Sequence, residues 1–157
     1  MSVSFTAENW SDWIGEWSGI CRTWFEPEIL ADESEVRGRW EWAIEGKILR
    51  HVYTGEIQGK PRRGEEFLAY NPITDRVQHS WWDDFHMNQL LLISMGSWIT
   101  DGCSVRGDYD VGVELPMWGW RTEFVSTSTD QLTITSFNVT PEGEEAKALE
   151  LRYQRNR

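Results

Sequence analysis

The sequence predicts an all-β protein, a single antiparallel up-and-down barrel of about ten strands with a short helix ahead of the first one. Three observations lead there. Beyond residue 14 the recurring pattern alternates between two faces with a period of two. Turn-forming residues interrupt that alternation at short intervals, and 157 residues is the length of one domain. A flat sheet of so many strands would leave two open edges, and closure removes them.

The helix falls on Thr6 to Ile14, with Thr6 as N-cap, Glu8 in the first turn, and Trp10, Trp13 and Ile14 at i, i+3 and i+4. Placed there, it could plug one end of the barrel. Strands are expected at 16–26, 34–45, 47–58, 62–70, 76–85, 88–96, 98–100, 103–109, 118–127, 130–139 and 145–154, with 98–109 open between one bulged strand and two short ones. The alternation shows in Val36, Gly38, Trp40, Trp42 and Ile44 against Arg37, Arg39, Glu41, Ala43 and Glu45, and again in Leu149, Leu151 and Tyr153 against Glu150, Arg152 and Gln154. Glu45-Gly46-Lys47, Gln58-Gly59-Lys60, Asn71-Pro72-Ile73-Thr74-Asp75, Thr100-Asp101-Gly102, Ser128-Thr129-Asp130 and Pro141-Glu142-Gly143 read as turns. No linker, composition shift or low-complexity stretch divides the chain. Residues 1–157 are one domain, the helix at about 6–14 and the barrel at about 15–154.

Lys and Arg number 15 against 26 Asp and Glu, a net charge of −11, which argues against a nucleic-acid partner or an anionic membrane surface. Eleven Trp, six Phe and four Tyr are too many for a disordered chain. The longest apolar run, Leu90 to Ile93, is too short to span a bilayer. Met1 to Trp10 has none of the features of a secretory signal, so a cytoplasmic location is expected, and the Asn138-Val139-Thr140 sequon then carries little meaning. Cys21 and Cys103 form no Cys-x-x-Cys pair and read as buried thiols.

Gly15-Glu16-Trp17-Ser18-Gly19, lying ahead of these strands, resembles the first-strand signature of the calycins, the superfamily of lipocalins, fatty-acid-binding proteins and nitrobindins. The resemblance implies that Trp17 lies across the closed end of the barrel beside an Arg from a late strand, a role open to Arg152 or Arg121. More narrowly, Trp24-Phe25-Glu26-Pro27, His51-Val52-Tyr53-Thr54-Gly55, Trp81-Trp82-Asp83-Asp84-Phe85-His86-Met87, Trp118-Gly119-Trp120-Arg121-Thr122-Glu123 and Phe137-Asn138-Val139-Thr140-Pro141-Glu142-Gly143 resemble a bacterial family of calycin-type barrels labelled only as a domain of unknown function. That resemblance covers residues 15 to 153 and implies a fold without catalytic residues. Nitrobindins take a haem-ligating His from late in the chain, and no His follows His86 here.

The histidines are His51, His79 and His86, and Asp83-Asp84-Phe85-His86 is the most chemical-looking segment. On a regular strand Asp84 and His86 share a face while Asp83 points the other way with Trp81 and Phe85; a turn after Phe85 would relax that assignment. The segment reads either as a general acid–base His oriented by an Asp or as a hydrogen-bonded pair ordering a turn. No Ser or Cys nucleophile accompanies it, the His spacings match no metal template, and no metal or cofactor is expected. Arg121 and Glu123 alternate with Trp120 and Thr122, so they form an outward ladder if the indoles face inward and an internal cation site if the phase is reversed. Arg62-Arg63, after the Gly59-Lys60-Pro61 turn, read as a solvated loop or rim.

Trp40, Trp42, Trp81, Trp82, Trp118 and Trp120 fall in close pairs, which either fill the interior or wall a pocket for a ring or chain. The ligand-contacting set expected on the second reading is Trp40, Trp42, His51, Tyr53, Trp81, Asp83, His86, Trp118, Trp120 and Asn138. Three functions follow. One is a barrel binding a small, largely apolar or aromatic molecule. Another is a cyclase or isomerase in which His86 and Asp83 serve as acid and base. The third is an interaction protein, a homodimer joined through an outer strand face bearing Trp24 or Ile20. A one-residue slip in strand phase would exchange the inward set for the outward one.

Overall fold

Ten antiparallel strands close into a barrel in the computed structural model, which describes residues 4–87 and 89–157. They are β1 (Gly15–Glu26), β2 (Ile29–Ile44), β3 (Ile48–Ile57), β4 (Lys60–Asn71), β5 (Arg76–Asp83), β6 (Leu92–Ile99), β7 (Gly102–Tyr109), β8 (Trp118–Ser128), β9 (Gln131–Val139) and β10 (Glu145–Arg155). Each strand pairs with its neighbours in sequence, and β1 closes the ring by pairing with both β2 and β10: Gly19 stands opposite Val36 on one side and Tyr153 on the other. The fold is therefore the all-β calycin-like barrel expected from the alternation, and no sheet edge is left unpaired.

The open question at 98–109 resolves at Asp101, which takes a positive φ of 61° in the turn. Residues 98 and 99 end β6, and a separate β7 starts at Gly102. The strand expected at 88–96 starts only at Leu92; residue 88 lies outside the described residues. β2 begins at Ile29 rather than 34, because Glu28 at φ 63° completes a tight reversal directly after β1. The helix is a 3-10 segment over Ala7–Trp13. Three residues per turn stack Trp10 and Trp13 on one face, and both are buried.

That face plugs the end of the barrel where β1 begins. Trp13 lies 5.3 Å from Trp40, edge-on, and 6.3 Å from Phe124, while Trp10 lies 5.3 Å from Trp98. Trp17 Nε1 donates to the Trp13 carbonyl at 2.9 Å, tying the first strand to the plug. The cation on Trp17 is Arg155, its guanidinium 4.3 Å from the ring centroid and its Nη1 donating to the Ile14 carbonyl at 2.8 Å. Neither Arg152 nor Arg121 takes this place: both have outward parity and pair with other carboxylates, Arg152 with the covered Glu150 and Arg121 with Glu145. Among the described residues no helix is long and apolar enough to cross a membrane.

Candidate functional site

Above the aromatic plug the interior turns polar. Trp40 stacks on His51 with centroids 4.3 Å apart and planes 6° from parallel. His51 on β3 stands directly opposite Glu66 on β4, and its Nδ1 meets Glu66 Oε2 at 2.7 Å. Its Nε2 meets the Tyr153 hydroxyl at 2.8 Å, and His79 Nε2 meets Glu66 Oε1 at 2.8 Å. The tautomer with hydrogen on His51 Nδ1 lets Tyr153 donate to Nε2 while both imidazoles donate to the carboxylate. Burial acts to raise the pKa of Glu66, but the hydrogen bonds from His51 and His79 outweigh it and hold the group at about 2. Gly38 makes the chain possible, since a Cβ there would sit 2.2 Å from the Tyr153 hydroxyl.

The next layer holds a cavity of about 20 Å³ among Tyr53, Arg62, Glu66, Trp81, Thr122, Ser136 and the aliphatic chains beside them. That is room for about one water molecule. Trp81 Nε1 donates to the Tyr53 hydroxyl at 2.8 Å, and Thr122 and Ser136 share a hydroxyl–hydroxyl bond of 2.9 Å. Arg62 lies 4.9 Å from the Tyr53 ring centroid and is 2% exposed. Gly64 leaves space for the Tyr53 hydroxyl, which would otherwise stand 2.2 Å from a Cβ.

At the end away from the plug, Trp81 and Trp120 stack at 5.4 Å with planes 14° apart, and His86 packs against both at 5.8 and 6.0 Å. Asp83 fixes His86: its Oδ2 accepts from Nδ1 at 2.8 Å, and its Oδ1 accepts the backbone N–H groups of Phe85 at 3.1 Å and His86 at 2.5 Å. Burial opposes the charge on Asp83, but the His86 hydrogen bond prevails and lowers its pKa. Around this mouth the exposed apolar side chains gather: Phe25, Ile29 and Leu30 from the first hairpin, Leu90 and Leu91 before β6, and Val111, Val113, Leu115 and Met117 between β7 and β8.

Of the residues singled out in the sequence, His51, Tyr53, Trp81, Asp83, His86 and Trp120 lie along one interior path. Trp40 is buried in the plug and Trp42 packs partly buried against the same core. Trp118 starts β8 at the mouth, and Asn138 accepts a hydrogen bond from the Tyr109 hydroxyl at 2.5 Å. The chain turns after Asp83, earlier than expected, so it is Asp83 and not Asp84 that meets His86; Asp84 instead accepts the Arg63 backbone N–H at 2.8 Å. Arg121 faces outward with Glu123 and Glu145, the ladder reading. Arg62 is not a solvated loop residue. β4 already runs at Lys60, and inward parity with Gly64, Glu66 and Leu68 carries Arg62 inside. Arg62, Glu66, Thr122, Ser136 and Tyr153 were missed, although counting back in twos from Leu68 locates the first two. Among the described residues no three His, Cys, Asp or Glu side chains are grouped to hold a metal ion.

Solved structures resemble this fold. The S-type phycobiliprotein lyase CPES of Guillardia theta gives a TM-score of 0.58 at 11% identity, over 96% of this chain and 92% of that one. EF1p2_mFAP2b, solved bound to DFHBI, gives 0.47 at 12% identity over 97% and 100% of the two chains. A DUF3598-family protein of unknown function from Nostoc punctiforme PCC 73102 gives 0.28 at 8% identity over 99% and 100%. No curated protein sequence matches the chain. The likeness to the lyase shows the fold, and the sequence resemblance to a calycin-type family of unknown function has its counterpart in a family profile that spans residues 9–155: the chain belongs to the family described as "Protein of unknown function (DUF1579)".

Proposed function

We propose that the protein binds a small, largely apolar or aromatic molecule at the unplugged end of the barrel. The observation that carries this reading is the stacked Trp81–Trp120 pair, 6% and 7% exposed, set behind a ring of exposed apolar side chains. Flat indole faces offer contact area at little conformational cost, and the net charge of −11 favours an uncharged or weakly charged small partner over nucleic acid. The enclosed space behind the pair is one water in size, so the body of the ligand lies against the indoles and binding requires His86 and its turn to move outward. Trp118 and Asn138 would contact it from the rim, whereas Trp40, Trp42 and His51 support the floor. Native mass spectrometry of protein purified without added ligand tests the reading. A non-covalent excess mass is expected, and it should be lost from a Trp81→Ala/Trp120→Ala double variant that still unfolds cooperatively. An empty barrel whose Trp fluorescence ignores hydrophobic probes sinks the idea.

The 2.8 Å Asp83–His86 contact supports a second reading, a cyclase or isomerase in which His86 moves a proton and Asp83 orients it. There His86→Ala and Asp83→Ala would each abolish turnover, while in a carrier they would only weaken affinity.

A further inference from the structure

Arg62 is a buried cation without a partner anion. Among the described residues it forms no ion pair; its Nη2 reaches only Cys21 Sγ, at 3.5 Å, and its Nε and Nη1 are buried with no acceptor. A charge removed from water in this way costs several kcal/mol, on the order of magnitude, unless an opposite charge and hydrogen bonds compensate it. The interior carboxylates lie near Arg62, Glu66 on the same cavity and Asp83 close enough to act on it through charge, but neither pairs with it, because their oxygens are engaged by other donors. Both oxygens of Glu66 accept from His51 and His79. Those of Asp83 accept from His86 and two backbone N–H groups, with the Tyr53 hydroxyl at a distant 3.5 Å. Cys21 is no substitute, because burial pushes its thiol toward the protonated form.

The deficit is one of acceptors. Eight buried side-chain polar atoms lack a partner among the described residues, and six of them are N–H donors: the indole nitrogens of Trp10, Trp13, Trp40 and Trp120, and the two on Arg62. A single water is a weak answer to a buried guanidinium, since it brings no charge. We infer that Arg62 receives the carboxylate of the bound molecule, so that the ligand class is an amphipathic monocarboxylic acid with its apolar body on the Trp81–Trp120 pair; this rests on the binding function proposed above. Three features select that class. The cavity of about 20 Å³ suits a planar two-oxygen group better than a tetrahedral phosphate or sulfate. Of the paired Thr122 and Ser136 hydroxyls only one is used as donor between them, leaving the other O–H for a second oxygen. Glu66 lines the same cavity and Asp83 lies close by, so beside the single cation of Arg62 they set a limit of one negative charge and disfavour a dianion.

The test is calorimetric titration of the full chain with naphthalene-1-acetate against neutral naphthalene-1-acetamide, and with octanoate against octan-1-ol. Each pair is run on the wild type, Arg62→Met and Arg62→Lys. Each carboxylate should bind at least about tenfold tighter than its neutral counterpart. Arg62→Met should erase that preference while keeping affinity for the neutral compound, and Arg62→Lys should restore part of it. Equal affinities in the wild type, or a preference that persists in Arg62→Met, overturn the inference and leave the binding function standing. No binding of either pair overturns both. Should Arg62→Met fail to fold, the Arg62 Nε–H resonance of the wild type decides. It should move with naphthalene-1-acetate and stay in place with the amide, and a resonance unmoved by both means that water alone occupies the cavity.

Discussion

At the plugged end Trp10, Trp13, Trp17 and Trp40 are buried in one aromatic cluster with Phe124, and the ionisable side chains their rings meet lie at its border: His51 under Trp40, and Arg155 and Tyr153 beside Trp17. At the mouth the same residue type is set differently: Trp81 and Trp120 stack as an isolated pair, edged by His86 and Asp83 and backed by Arg62. The first arrangement maximises apolar area and tolerates unpartnered indole N–H groups. The second keeps charge beside a small cavity. A barrel held shut at one end by dense aromatic packing can keep a cation that lacks a direct ion pair in its other half, because the register of all ten strands is fixed elsewhere.

Truncating one indole at each end separates the two arrangements most directly. Trp13→Ala removes a ring that meets Phe5, Trp40 and Phe124, with centroids between 5.3 and 6.3 Å, and should cost about 3–5 kcal/mol in urea unfolding. Trp81→Ala deletes a ring that faces a cavity, with Trp120 stacked on it, the half-exposed turn of His86 at its edge and one hydrogen bond to the Tyr53 hydroxyl, so its loss should be smaller. Equal losses would mean that the mouth is structural core and would remove the basis for a ligand there.

The strand ladder was legible because alternation and turn chemistry are local signals: Val36, Gly38, Trp40 and Trp42 are on one face in the sequence pattern and in β2 alike. The polar interior was less so. Asp83 lies on the face of Trp81 in the sequence pattern and in β5 alike, but which Asp His86 meets depended on a strand ending at Asp83 rather than two residues later, and strand ends are set by tertiary pairing. Arg62 was obscured by its adjacency to Arg63 and by a turn just before it; composition argues that two consecutive Arg are solvated, whereas period two sends one inward. Tyr153 and His51 are 102 positions apart, and no local pattern announces that they will share a proton.

Glu66 sits at the boundary between the two halves, bound by His51 on the plug side and lining the cavity on the other. Glu66 has its pKa lowered from 4.5 to about 2 by the His hydrogen bonds that overcome burial, so the native state binds its proton more weakly than the unfolded chain. Its contribution to stability is then complete above the unfolded pKa and is lost as pH falls through 4.5 toward 2. The contribution is about 3 kcal/mol as an order of magnitude. Other carboxylates also titrate there, Asp83 among them, so the informative quantity is the gap between wild type and Glu66→Gln. Urea midpoints should show a wide gap at pH 6 that narrows toward pH 2. The cost of Trp13→Ala, with no proton involved, should stay level over the same range. A gap that does not change with pH would assign the cost of Glu66→Gln to packing rather than to the charge held by the two imidazoles.

The smallest effect contrasts the two arginines. Arg121 has more partners than Arg62: its Nε and Nη2 bind Glu145 at 2.9 and 2.8 Å and its Nη1 pairs with Glu123. Yet the ladder is partly solvated, and such pairs contribute about 0.2–1 kcal/mol after water and salt have screened them. Arg121→Ala should therefore lower the urea midpoint only slightly, and raising the salt to 1 M should weaken the pair in the wild type and shrink the difference further. Arg62→Met replaces a buried, unpaired charge with an apolar chain of similar length, so the unliganded protein should lose little or gain stability, with no dependence on salt. The arginine with fewer contacts is thus the one whose removal relieves a cost. An Arg121→Ala loss that survived 1 M salt would instead belong to its guanidinium packed 4.4 Å from the Phe137 ring centroid, a contact that salt screens far less than an exposed ion pair.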